Sequence, residues 1–191
     1  MKKGFTLIEL LIVIGILAIL ATATILVLNP AQLFAQARDS QRISDLASLR
    51  SAISFYLSTV SSPNLQAGAG FACGTNWGVS TATASPVKHN AAINAAASRA
   101  GLRGVDGLGW VAINFGDVSG GSPLATLPAD PTNDAANNYQ YSCNNNARTF
   151  ELNANMQSTR YAAGGTDDVE TNTKDGGTDN AVYEVGTDLA L

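Results

Sequence analysis

Met1-Lys2-Lys3-Gly4-Phe5-Thr6-Leu7-Ile8-Glu9 opens the chain, and no other charge follows Glu9 before residue 29. The apolar run from Phe5 to Leu28 is too long for an ordinary secretory signal, whose apolar core is about 7–15 residues. As a helix rising about 1.5 Å per residue it reaches roughly 36 Å, enough to cross a hydrocarbon layer of about 30 Å. Lys2 and Lys3 place the start of the chain on the cytoplasmic side and the remainder outside. A plain anchor leaves Glu9 unexplained. A carboxylate in a spanning helix is costly unless it reaches the headgroups or finds a partner.

The string Gly4-Phe5-Thr6-Leu7-Ile8-Glu9 closely resembles the prepilin motif of bacterial type IV pilins and type II secretion pseudopilins. A short basic leader, a glycine, an aromatic residue, a glutamate and an unbroken span are all present. The resemblance implies that a prepilin peptidase cleaves between Gly4 and Phe5 and methylates the new N-terminus at Phe5. It further implies that Glu9 pairs with the terminal amine of a neighbouring copy during assembly. The elementary physics agrees: removing the lysines exposes an amine at Phe5, and burial makes a charge demand a counter-charge.

Working outward, Asn29-Pro30 interrupts the apolar run, since a proline inside a helix removes a hydrogen bond and kinks it. Whether the chain bends or locally unwinds there is left open by the residues. Beyond it Ile43, Leu46, Leu49, Ile53, Leu57 and Val60 recur at three- and four-residue steps, one apolar stripe on a second helical half. Arg38, Asp39, Arg42, Asp45 and Arg50 fall mostly off that stripe, and Asp39 and Arg42 are spaced to meet. Ser62-Pro63-Asn64 ends the helix.

Lys88 to Ala100 reads as a short alanine-rich helix, and Trp110 to Phe115 as a strand bounded by glycines. Leu127-Pro128-Ala129-Asp130-Pro131 reads as a rigid connection. Asn138–Cys143 and Arg148–Met156 alternate in the manner of two strands. Between them Asn144, Asn145 and Asn146 are the residues suited to a turn's positive φ. Ala181–Val185 adds a last strand. The fold class is α+β: a long N-terminal helix, apolar in one half and amphipathic in the other, on a small antiparallel sheet. The chain divides into a cleaved leader (1–4), a membrane or filament-core helix (5–30), an amphipathic half (31–62) and a head (63–191). The Leu-Pro-x-Asp-Pro connection followed by Tyr139-Gln140-Tyr141 is similar to the sheet region of pseudopilins and some Gram-positive pilins.

Formal net charge is −4, and the acidity gathers at the end. Asp167, Asp168, Glu170, Asp175, Asp179, Glu184 and Asp188 face Lys174 alone between Gly164 and Leu191. The arginines of the helix are too few for a phosphate-binding stripe, so no nucleic-acid binding is expected. An exported head lets Cys73 and Cys143 form a disulfide, closing a loop of about 70 residues worth roughly 4 kcal/mol; the alternative is two buried thiols. The acidic tail reads first as a solvated loop. Pseudopilins of this resemblance carry calcium near the C-terminus, which makes Asp175 and Asp179 around Gly176-Gly177 candidate Ca²⁺ ligands; no other cofactor is expected. The sole histidine, His89, has no metal or triad partners in sight, so no catalytic residues and no enzyme are expected.

The expected protein is therefore a structural subunit of a type IV pilus, or else a type II secretion pseudopilin. Its expected partners are inner-membrane lipid before assembly and copies of itself afterwards. The peptidase, an assembly platform and a motor complete the list. Its expected location is the cell membrane, then a surface filament serving adhesion, twitching motility or DNA uptake.

Overall fold

The computed structural model describes residues 4–68, 70–83 and 97–191. Helix α1 spans Leu7–Leu28 and α2 spans Pro30–Thr59. They are followed by β1 (Trp77–Val79), β2 (Ala97–Ala100), a 3₁₀ turn (Phe115–Asp117), β3 (Gln140–Asn144), β4 (Thr149–Ala154), α3 (Asn172–Asp175) and β5 (Tyr183–Gly186). The expected long helix on a small sheet is what forms.

The two helical halves meet at a single residue. Asn29 adopts the left-handed conformation (φ 37°, ψ 73°), and its N–H closes α1 by donating to the Ile25 carbonyl. A residue before proline is disfavoured in the right-handed helical region, and asparagine tolerates the left-handed one. Pro30 then takes the first position of α2, where a missing N–H costs nothing. The interruption is thus a break of one residue between two regular helices.

Along α2 the buried positions are Ala35, Asp39, Arg42, Leu46, Leu49, Ala52, Ile53 and Tyr56. Leu46, Leu49 and Ile53 anchor the expected stripe, whereas Ile43, Leu57 and Val60 are half-buried at its margin. Val60 is extended (φ −89°, ψ 123°) and ends the helix ahead of Pro63.

The sheet runs β2-β1-β3-β4-β5. Three of its pairings are antiparallel, but β1 and β2 run parallel, so the sheet is mixed where an antiparallel one was expected. Tyr141 faces Leu152 and Cys143 faces Phe150 across β3–β4. These side chains, with Tyr139, Ala154 and Val185, form the layer that covers the α2 stripe. In the turn between the strands the positive φ lies at Arg148 (60°), not at Asn144, Asn145 or Asn146.

Two further expectations are corrected. Ala97–Ala100 is a strand where the alanine-rich helix was expected to end; residues 88–96, with His89, lie outside the described residues. Alanine's helix preference is worth well under 1 kcal/mol per residue and yields to tertiary pairing with β1. Trp110–Phe115 is fully buried at five of its six positions, yet it is not a strand. Its hydrogen bonds go to loops on both sides: Trp110 N–H to Leu102 O, Phe115 N–H to Val105 O, and Ala67 N–H to Ala112 O. An apolar run reports burial, not ladder pairing.

Gly78 on β1 lies under this segment: a Cβ there would sit 1.7 Å from the Trp110 carbonyl oxygen. Because the obstacle is backbone, Gly78→Ala should cost about 2–3 kcal/mol, read as a fall in the thermal midpoint. An unchanged midpoint would show that the Trp110 segment moves freely.

Candidate functional site

Gly4 and Phe5 precede α1 in an open, non-helical stretch. A Cβ at Gly4 would meet nothing within 4 Å, and Phe5 is 79% exposed. The bond between them is therefore accessible to a peptidase. Thr6 is the N-cap of α1 and makes a full capping box with Glu9. Glu9 Oε2 accepts from Thr6 N–H at 2.8 Å and from Thr6 Oγ1 at 2.7 Å, while Glu9 N–H donates to Thr6 Oγ1 at 3.3 Å. This local geometry holds the carboxylate at the helix N-terminus, where the partial positive charge of the helix favours it. Both accepted bonds fall on Oε2.

From Leu10 to Ile25 α1 is exposed and, apart from Thr22 and Thr24, apolar. Its 22 residues reach about 33 Å, and no part of its most apolar stretch is buried against the head. Leu33 and Phe34 continue the exposed apolar surface onto α2. So large an uncovered apolar surface is foreign to a monomer in water and marks a membrane or protein interaction site.

Beyond α1, a buried cluster ties α2 to the head. Arg42, fully buried, donates through Nε to Asp130 Oδ2 (2.6 Å) and through an Nη2 N–H to Asp130 Oδ1 (2.8 Å). Through Nη1 it donates to Asp39 Oδ1 at 2.7 Å. Asp39 in turn accepts the backbone N–H groups of Gln157 (3.0 Å) and Ser158 (2.8 Å). Asp130 accepts those of Thr132 and Asn133. Burial alone would weaken the charge on Arg42, but Asp130 and Asp39 outweigh it and raise the guanidinium above its ordinary value. The Asp39–Arg42 contact expected at the helix surface is thus an interior one, and Asp130 is the partner that sequence reading missed. Its one signal was an aspartate fixed between Pro128 and Pro131. Tyr139 OH donates to Asp45 Oδ2 at 2.8 Å, a second tie from the sheet to α2.

The structure joins Cys73 to Cys143 with Cα atoms 4.8 Å apart, a separation that a disulfide spans.

The acidic tail is largely taken up by its own backbone. Asp168 accepts N–H bonds from Gly164, Glu170 and Thr171 as well as the Thr171 hydroxyl, which hold it below the ordinary carboxylate range. Asp167 pairs with Arg160 at 2.5 Å on the surface. Asp175 accepts from Gly177 and Glu184, and Asp179 from Ala181. Among the described residues no group of three or more His, Cys, Asp or Glu side chains is arranged to hold a metal ion.

Glu170 is buried against Met156 and Ala163, whose N–H groups it accepts at 2.6 and 3.0 Å. Burial pushes it up to about 7 from 4.5 despite those bonds, with Asp39 and Asp168 adding to the rise. Between these two values the folded chain holds a proton that the unfolded chain has released, so stability falls as pH rises through that window. Glu170→Gln should remove roughly 1–2 kcal/mol of that fall, measured as the change in thermal midpoint between about pH 5 and 8. An identical slope in the variant would exclude Glu170 as its source.

Residues 1–25 match the family model described as the prokaryotic N-terminal methylation motif. No curated protein and no solved structure matches the chain. Over its leader and most of α1, the chain carries the prepilin signature of type IV pilins and pseudopilins.

Proposed function

We propose that the chain is a structural, non-enzymatic subunit of a type IV pilus, its head outside the membrane before and after assembly. The single observation that supports this most is the matched leader joined to a helix whose most apolar stretch is nowhere buried against the head. Cleavage after Gly4 removes Lys2 and Lys3 and leaves a methylated amine on Phe5. In a filament α1 exchanges lipid for copies of itself. Glu9, already oriented through Oε2 by Thr6, then offers Oε1 to the amine of a neighbour. The Asp39–Arg42–Asp130 cluster carries the head on the end of that helix. Outside the cell the Cys73–Cys143 pair is oxidised, a mass two hydrogens below the reduced chain.

The test is electron microscopy of sheared surface filaments with mass spectrometry of their subunit. Filaments built of this chain, beginning at methylated Phe5, are the expected result. Short assemblies found only with a secretion apparatus would assign it to the pseudopilins instead. Gly4→Leu should leave an unprocessed precursor that never enters a filament, and a mature N-terminus still at Phe5 would refute the cleavage site.

A further inference from the structure

Of the five charged residues on α2, Asp39 and Arg42 are buried together, Arg38 donates to Gln157 Oε1, and Asp45 accepts from the Tyr139 hydroxyl. Arg50 is left exposed, and among the described residues no carboxylate pairs with it. It borders a groove of about 310 Å³ between α2 and β5, walled by Ala47, Ser51, Ser54, Tyr183 and Val185. Ser51 turns its hydroxyl back to the Ala47 carbonyl at 2.9 Å, so that wall presents hydrocarbon rather than an open donor. Past Arg50 the groove runs on to Lys174, also exposed and, among the described residues, also unpaired. The carboxylates there, Asp175 and Glu184, are taken up by backbone N–H groups. What the groove lacks is an apolar side chain and an anion.

The opposite flank of the head offers both. Beyond Phe34, the large apolar side chains left exposed among the described residues are Phe55, Leu102 and Leu108. The loop from Leu102 to Leu108 leaves the end of β2, at the far edge of the sheet from β5. Within it Asp106 bridges to Asn114, whose amide donates to Asp117 Oδ1 at 2.7 Å. Both aspartates are exposed, and among the described residues neither has an ion-pair partner. Asp106 gives Oδ1 to the Leu108 N–H at 3.1 Å and keeps Oδ2 to spare. Arg103 of the same loop lies within electrostatic reach of Asp45. Asp45 and Arg50 are five residues apart, about 140° round the helix. Groove and loop thus flank α2 on opposite sides.

We propose that the Arg50 groove of one copy receives the Leu102–Leu108 loop of the next copy, with Leu108 entering the groove and Asp106 meeting Arg50. Two unpaired cations, Arg50 and Lys174, then face two unpaired anions, Asp106 and Asp117, around an apolar centre. An apolar centre with a charged rim is the ordinary make-up of an interface, and the charges set its register. Because the two surfaces lie at opposite edges of the sheet, one copy cannot satisfy its own groove, and a twofold pair cannot fill both grooves at once. The contact is head-to-tail, the kind that repeats into an open helical array. It rests on the filament reading above and adds to it which surfaces of neighbouring heads touch.

The test is a charge exchange read as the yield of sheared filaments. Arg50→Glu should lower the yield about tenfold, and Asp106→Arg as much, because each sets like charges against each other. The two together should return it to within about twofold of the wild type. An undiminished yield from Arg50→Glu, or a double variant no better than the singles, would overturn the contact and leave the filament reading standing. Absence of wild-type filaments would overturn both. Both positions are exposed, so each variant in detergent should keep the wild-type thermal midpoint. Should Asp106→Arg not fold, Asp106→Asn replaces it, since it keeps the acceptor for Leu108. Its deficit should not add to that of Arg50→Gln, and additive deficits would sink the pairing. Carbodiimide treatment of Arg50→Lys filaments should join the new amine to Asp106 of another copy. A link to a different acid, or to a different protein, would give the groove another occupant and refute the proposal.

Discussion

Arg42→Ala should lower the stability of the head by about 3–5 kcal/mol, a drop of roughly 10–15 °C in the thermal midpoint. The arginine, fully buried itself, supplies four hydrogen bonds to three side chains, of which Asp39 and Asp130 are buried with it. Removing it leaves Asp39 and Asp130 as buried anions whose backbone donors cannot replace a counter-charge. Arg42→Lys should recover only part of the loss, because an ammonium cannot span Asp130 in bidentate fashion and still reach Asp39. Circular dichroism of the purified chain in detergent measures both, and α1 should stay helical throughout. A midpoint within a degree or two of the wild type would mean that the cluster does not couple helix to head.

Glu9→Ala should leave the protein inserted and processed at Gly4 but reduce filament yield on the order of a hundredfold. An amine buried without its partner costs about 3 kcal/mol, which is two decades in an association constant. Two effects are separable here. The substitution also removes the capping box, so Thr6→Ala serves as the control: it loses the Thr6 hydroxyl contacts but keeps the carboxylate. A modest deficit in Thr6→Ala beside a severe one in Glu9→Ala assigns the effect to charge pairing. Equal deficits would assign it to helix capping.

How far the residues foretold these sites follows from the range of each interaction. The leader is contiguous, so Gly4, Phe5 and Glu9 could be read directly, whereas the capping box by which Thr6 holds Glu9 was not read although it joins residues only three apart. The α2 stripe and the alternation of Tyr139, Tyr141, Cys143, Phe150 and Leu152 were legible because one helix face and one sheet face bury apolar side chains at their own periods. Arg42 was not, because an arginine at helical spacing looks solvated until Asp130 arrives from 88 residues away. The polar outer layer misled in the same way: Gln140, Glu151 and Glu184 alternate as surface residues do, yet they are buried. Trp110–Phe115 was read as a strand and is instead an irregular buried segment, since its partners are loops of irregular register.

The bond from the Glu184 N–H to Asp175 bears on crowding. β5 is the last strand of its sheet, and a bare terminal strand invites an identical strand from the next molecule to zip alongside it. Here the outward amide of Glu184 is already engaged by a carboxylate, and the short turn of α3 lies beside that edge. In a filament of the kind proposed, neighbouring heads would thus meet a blunted border, which discourages side-by-side growth into a continuous, irreversible aggregate.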